Sequence, residues 1–163
     1  MTEVPHDDNY KSMFGDRLIH GVVTTEQIGR PLTYFCERKV FLDCRGNLKI
    51  HPSSEWGWFA MAITMSHYIH QGFVTDGQQI TGAAPRTVIV DECVWIGSRA
   101  ILYNCHIQHH AIVACGAVVR NTIVPPYTIV EGNPAVAVKR YVDGQWVPIP
   151  ENERVLPKYV GQP

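Results

Sequence analysis

Apolar residues recur every six positions through the centre of this chain. Val90, Ile96, Ile101, Ile107, Val113 and Val119 stand six apart, save for one five-residue step from Ile96 to Ile101. Four residues after each comes a small or β-branched side chain: Val94, Ala100, Cys105, Ala111, Ala117 and Ile123. A period of six is neither that of an amphipathic helix nor the simple alternation of a half-buried strand. It is the period of a chain that coils as a triangular prism, with one short strand per face and each coil packed on the one below. The apolar residue points into the narrow interior, and its small companion lets the chain turn the corner. The short step before Ile101 predicts a skipped corner. The pattern predicts an all-β, hexapeptide-repeat parallel β-helix.

An earlier block carries the same spacing. Cys44, Ile50, Trp56 and Ala62 are six apart, followed at four residues by Leu48, Ser54, Ala60 and Ser66. Trp56 is large for an interior position and predicts a slipped register or a wider coil. Between the blocks, over about 67–87, the period gives way to Gly72, Asp76-Gly77, Gly82 and Pro85, the punctuation of a loop. A long loop interrupting a regular coil is costly to order and is usually functional.

These patterns divide the chain into an N-terminal arm (1–43), a β-helix (44–124) with its inserted loop, and a C-terminal segment (125–163). The arm is expected to hold one or two strands or a short helix. Pro125-Pro126 should stop the strand ladder. Gly132-Asn133-Pro134 forms a turn before Ala135 to Tyr141, which is expected as a helix end. Asp143-Gly144 then predicts a hairpin turn, and the proline-rich tail predicts extended chain.

Composition narrows the class. With 163 residues, 45% of them hydrophobic, the chain can bury a core without disulfides. A net charge of -1 argues against a nucleic-acid footprint. No apolar run approaches ~18 residues, and the first residues lack the basic and apolar regions of a signal peptide. Five cysteines show no paired spacing, and Cys93, Cys105 and Cys115 fall in repeat blocks, where a thiol serves as small apolar filler. A reducing, cytoplasmic setting is expected.

Specific motifs lie on this frame. Val94-Trp95-Ile96-Gly97-Ser98-Arg99-Ala100, Ala117-Val118-Val119, Ile123-Val124-Pro125-Pro126-Tyr127 and Gly132-Asn133-Pro134-Ala135 resemble the hexapeptide-repeat acyltransferases. The similarity is to the sugar and xenobiotic O-acetyltransferase branch, which includes the maltose, galactoside and capsular-polysaccharide enzymes. It covers about residues 44–140. The resemblance implies a left-handed β-helix, an exception to the usual right-handed crossover. It also implies a homotrimer that binds acetyl-CoA between neighbouring subunits, with no metal, no nucleic acid and no membrane insertion.

Acetyl transfer from a thioester to a hydroxyl needs a base, and a neutral imidazole suits the task. Thr64-Met65-Ser66-His67 resembles the family stretch in which the catalytic histidine follows a Thr-x-Ser or Thr-x-Thr element, so His67 is the implied base and His70 the alternative. Asp76 and Glu55 are candidates to orient it. For the coenzyme, the resemblance implies Trp95 at the cleft, Gly97 and Ser98 along the pantetheine arm, and Cys115 and Gly116 in the same tunnel. Lys139 and Arg140 are implied at the phosphates. Arg120-Asn121-Thr122 stands where many relatives have Thr-Lys-Asp, and Arg120 is the replacement cation.

The implied acceptor is a small sugar or polysaccharide-precursor hydroxyl, with an amino-sugar N-acetyltransferase as the alternative. Trp56, Trp58, Tyr68 and Phe73 are candidates for stacking on a sugar ring, weighed against core packing. Two other classes stand beside this reading. Some hexapeptide β-helices are zinc carbonic anhydrases, and His106, His109 and His110 raise that comparison, although adjacent histidines in a turn rarely converge on one metal. A non-catalytic β-helix module is the third.

Overall fold

The computed structural model describes residues 19–21, 24–68 and 81–160. Short strands wind around three faces of a prism. The first face stacks β1 (Ile19–His20), β2 (Phe41–Asp43), β5 (Met61–Ile63), β10 (Ile101–Tyr103) and β13 (Val118–Arg120) in that order. The second stacks β3 (Asn47–Ile50), β8 (Thr87–Val90), β11 (Cys105–Ile107) and β14 (Ile123–Val124). The third stacks β4 (Glu55–Trp56), β9 (Trp95–Ile96), β12 (Ile112–Val113) and β15 (Thr128–Gly132). Neighbours within each of these stacks are parallel and come from successive coils. The architecture is the left-handed parallel β-helix that the hexads and the resemblance led us to expect.

The interior follows the repeat. Ile50, Trp56, Ala62, Val90, Ile96, Ile107, Val113 and Val119 point inward and are buried, as are the corner residues Val94, Ala100, Cys105, Ala111 and Ala117. Trp56 fits because the end of the coil is closed by helix α2 (Leu32–Glu37), whose Phe35 meets the indole edge-on at 5.9 Å. The indole N–H donates to Ser54 Oγ at 3.1 Å, so burial leaves no polar atom unpaired there.

One register expectation is corrected. Ile101 faces outward, and Leu102 is the fully buried residue of β10. The step from Ile96 to Leu102 is therefore regular. The shortened step lies between Leu102 and Ile107, at Asn104, and it recurs between Val119 and Val124, at Asn121. Both asparagines have positive φ, 46° and 53°, which a short amide side chain tolerates. Asn104 Nδ2 donates to Asn121 Oδ1 at 2.9 Å, tying the two corners together. In the upper corner Thr122, rather than Ile123, fills the buried position.

The ends also differ from expectation. Within the arm, α1 (Thr25–Ile28) and α2 precede β2, which already pairs with β5 in the first face. The coil thus begins before residue 44. Ala135 to Tyr141 is not a helix end but part of a strand, β16 (Ala135–Val142), which turns back antiparallel on β15. Asp143 and Gly144 make the expected hairpin turn, both at positive φ, into β17 (Gln145–Pro148).

The inserted segment begins as a two-stranded antiparallel ribbon of β6 (Met65–Tyr68) and β7 (Thr81–Pro85). Of the cysteines expected as filler, Cys105 is buried, whereas Cys93 and Cys115 are exposed at corners. Burial pushes the Cys105 thiol up to about 12. Among the described residues, no helix is long and apolar enough to cross a membrane.

Candidate functional site

One outward column on the third face gathers several of the sequence candidates. Glu55 pairs with Trp95, Trp95 with Ile112, and Ile112 with Ile129. Each neighbour along the strand points inward, so these four side chains share the outer face. Ile129 pairs with Lys139 on β16, and directly paired residues project to the same side. The column therefore runs from a carboxylate through an indole and two isoleucines to an ammonium. Trp95 is 55% exposed, although strand burial is the commoner fate of tryptophan.

The corner from the third face to the first holds Gly97, Ser98, Cys115 and Gly116. A Cβ on Gly97 would lie 2.5 Å from the Cys115 amide nitrogen, and one on Gly57 would lie 2.4 Å from that of Ser98. These glycines allow successive corners to stack. Gly116 differs: its φ is 71°, and nothing lies within 4 Å of its Cβ position. Ser98 Oγ accepts the Trp58 N–H, while the Gly116 N–H donates to the Ser98 carbonyl at 2.9 Å. Cys115 is exposed beside them.

His67 lies on β6, opposite Ala83, next to a register shift between His67 and Tyr68. His70 and Asp76 lie outside the described residues. The ribbon leaves the coil between β5 on the first face and β8 on the second. That corner is the one opposite the third face, so one chain carries His67 and the Trp95 column on different sides of the prism. Arg120 ends β13 on the first face, toward the ribbon's corner. Arg140 pairs with inward-facing Thr128, so it projects from β16 on the side away from Lys139.

Glu55 is held where it stands. Its carboxylate accepts from the Arg30 guanidinium at 2.6 Å and from the Tyr34 hydroxyl at 2.8 Å. The Tyr34 ring lies between two guanidiniums, Arg38 at 3.9 Å and Arg30 at 4.3 Å from its centroid. The Tyr34 hydrogen bond, then Arg30, keeps the Glu55 carboxyl below its ordinary range. Sequence gave no sign of this cluster, because helix α2 and β4 meet only after the arm folds over the end of the coil. Trp58 is 54% exposed one corner away, while Trp56 is core.

Among the described residues, His106, His109 and His110 do not converge on one point. His106 Nε2 meets Asp91 Oδ2 at 2.8 Å on the second face. His109 and His110 face each other through their Nδ1 atoms at the next corner, and His110 stacks on Tyr127 at 4.8 Å between centroids. Among the described residues, no group of three or more His, Cys, Asp or Glu is arranged to hold a metal ion.

No protein-family model matches the chain, and no curated protein matches it significantly. Solved structures do. A hexapeptide-repeat-containing acetyltransferase from Vibrio cholerae is 24% identical with a TM-score of 0.54, over 64% of this chain and 57% of its own. The same enzyme complexed with acetyl coenzyme A gives 21% identity and a TM-score of 0.51, over 64% of this chain and 55% of its own. A maltose O-acetyltransferase from Clostridium difficile gives 24% identity and a TM-score of 0.49, over 58% of this chain and 48% of its own. The chain thus spans about half the length of these proteins. What it shares with the two Vibrio cholerae structures is the fold, the left-handed β-helix of hexapeptide-repeat acetyltransferases.

Proposed function

We propose that this chain is an acetyl-CoA-dependent O-acetyltransferase acting on a hydroxyl of a sugar or polysaccharide precursor. In this reading it works as a homotrimer with His67 as general base. The observation that carries the reading is the separation of the two candidate halves on one prism. A ribbon bearing a histidine leaves one corner, while an exposed column running from indole to ammonium lies on the opposite face. Such halves make a site when the ribbon of one copy reaches the column of the next.

The column has the chemistry that the coenzyme requires. Ile112 and Ile129 offer apolar contact to a flexible arm, and Lys139 offers a cation to phosphates. Gly116 leaves open space at its corner, and Cys115 and Ser98 border it. Gly97 allows the close stacking that this corner needs, and Arg140 and Arg120 are secondary cations. When bound, the coenzyme supplies the activated acetyl thioester. His67 accepts the acceptor's hydroxyl proton as the oxygen bonds to the thioester carbonyl carbon. The same imidazolium then returns that proton to the departing sulfur as the C–S bond breaks. Trp95 and Trp58 are suited to stack on the acceptor ring. All five cysteines are unpaired and two are exposed, which supports a reducing, cytoplasmic setting.

The test is thiol release from acetyl-CoA with a panel of sugars and amino sugars, comparing the wild type with His67→Ala and His70→Ala. Loss of turnover in His67→Ala alone, with acetyl-CoA still bound, is the expected result. Turnover only with amino sugars would reassign the reaction to nitrogen. A wild type that neither binds acetyl-CoA nor releases thiol would overturn the reading.

A further inference from the structure

We infer that Thr64 is a positioning residue: its buried side chain fixes the root of the ribbon that carries His67, an inference that rests on His67 being the base. Thr64 is fully buried, which is uncommon for a hydroxyl side chain and calls for partners. Its Oγ1 donates to the Asp43 carbonyl and accepts the Gly46 N–H at 2.9 Å. Its own carbonyl accepts the Arg86 N–H at 2.7 Å, and the Arg86 carbonyl accepts the Asn47 N–H at 3.0 Å. Thr64 and Arg86 are the residues at which the chain leaves and rejoins the coil. Both ends of the ribbon are thus stitched to the same turn beneath them.

That turn lies close beneath the root. A Cβ on Gly46 would sit 2.1 Å from the Thr64 carbonyl oxygen and 2.6 Å from that of Arg86, so no larger residue fits under the root. The buried Asp43 carboxylate takes two hydrogen bonds from the Arg45 guanidinium, at 2.8 and 3.0 Å. From the coil above, the Tyr103 hydroxyl accepts Arg86 Nε at 3.2 Å. His67 is three residues beyond Thr64, with the ribbon ladder starting at Met65 and Pro85. A fixed root this close to the histidine sets the course of the strand that carries it. Misplacement of a base by about 1 Å costs up to ~100-fold in turnover.

Valine matches threonine in shape but removes the hydrogen bonds to the Gly46 N–H and the Asp43 carbonyl, whereas serine keeps both. The experiment compares full-length wild type, Thr64→Val, Thr64→Ser, Tyr103→Phe and His67→Ala. It reads kcat and KM for acetyl-CoA across pH, and amide hydrogen exchange of Met65 to His67. Thr64→Val is expected to lower kcat ~10- to 100-fold with KM for acetyl-CoA nearly unchanged. It should also displace the pH–rate midpoint of the base and exchange the ribbon amides at least ~10-fold faster. Thr64→Ser is expected to restore all of these. Should Thr64→Val not fold, Tyr103→Phe loosens the root from above and is expected to give the same changes in smaller measure.

Wild-type exchange and kcat in a folded Thr64→Val, or equal losses in the valine and serine variants, would overturn the inference. Full turnover in His67→Ala would instead remove the base assignment. The exchange of the ribbon amides would still decide whether Thr64 holds the root.

Discussion

The Trp58 N–H donates to the Ser98 hydroxyl, 3.1 Å away and one coil above. The glycine preceding each of these residues is packed without room for a methyl group. At Gly97 the obstacle is backbone of the next coil, the Cys115 nitrogen at 2.5 Å and the Ala114 carbonyl carbon at 2.7 Å. Gly97→Ala is therefore expected to cost ~3 kcal/mol, because rigid backbone has to move. Ser98→Ala removes one hydrogen bond at a corner that water can reach, and is expected to cost about 1 kcal/mol or less. Urea unfolding of both variants checks the order. Equal losses would mean that the corner is looser than its stacking distances imply.

Leu102 and Ile101 offer a second contrast. Leu102 is sealed inside, between Ala62 below and Val119 above, while Ile101 sits on the outer face. Leu102→Ala is expected to lose ~2–5 kcal/mol through lost transfer energy and the cavity left behind. Ile101→Ala should lose much less. A chemical denaturation series would reverse this order if the hexad count through Ile101 described the true register.

That error shows what the sequence could carry. The six-residue period is a property of each coil, so it reported the prism, its interior and the large residue Trp56. It could not say on which side of Asn104 the missing residue fell, because Ile101 and Leu102 are equally apolar. The interior decides: Leu102 is the buried residue of β10, so the five-residue step runs from it to Ile107. The ribbon root was legible only as a place where periodicity ended, since Thr64 acquires its meaning from Asp43 and Gly46, about twenty positions earlier. Tyr34 and Glu55 meet across a similar gap. The Trp95 corner was legible as a place in the coil because its residues are consecutive. The strand Ala135–Val142 is not legible from the hexads because its pairing with β15 is antiparallel and lies outside their rule.

Glu55 makes the cap sensitive to acid. Its carboxyl is held below the ordinary 4.5, first by the Tyr34 hydroxyl and then by Arg30. A carboxylate with a depressed value stabilises the fold above its unfolded value, and that contribution is lost as pH falls through the folded one. The side chain is 59% exposed, so the effect stays under ~1 kcal/mol. Tyr34→Phe removes the leading cause. Its stability deficit against wild type should therefore be larger at about pH 7 than at about pH 3. A deficit independent of pH, measured by denaturant midpoints, would assign the role of Tyr34 to the Trp56 backbone N–H, which its hydroxyl accepts at 3.0 Å.

If the column on the third face holds the coenzyme, its two neighbouring cations should behave differently. Lys139 shares the face of Ile129, whereas Arg140 follows Thr128 to the other side. Lys139→Ala is expected to raise KM for acetyl-CoA ~10-fold with kcat nearly unchanged, the signature of binding lost equally from ground and transition states. Arg140→Ala should change KM by less than ~3-fold. The opposite ranking in steady-state kinetics would place the phosphates on the far side of β16.

The separation of His67 from Trp95 on one prism gives the sharpest test of assembly. His67→Ala and Trp95→Asp are each expected to be inactive as pure proteins. Unfolded together in equal amounts and refolded, they form mixed oligomers. Where a site takes its ribbon from one copy and its column from the next, some sites receive both intact halves. Random assembly then restores about a quarter of wild-type activity, since each half is intact with even odds. Sites built within a single chain would gain nothing from mixing, because every chain carries one broken half. Recovery near one quarter therefore establishes the shared site, and a mixture as dead as its components rules it out.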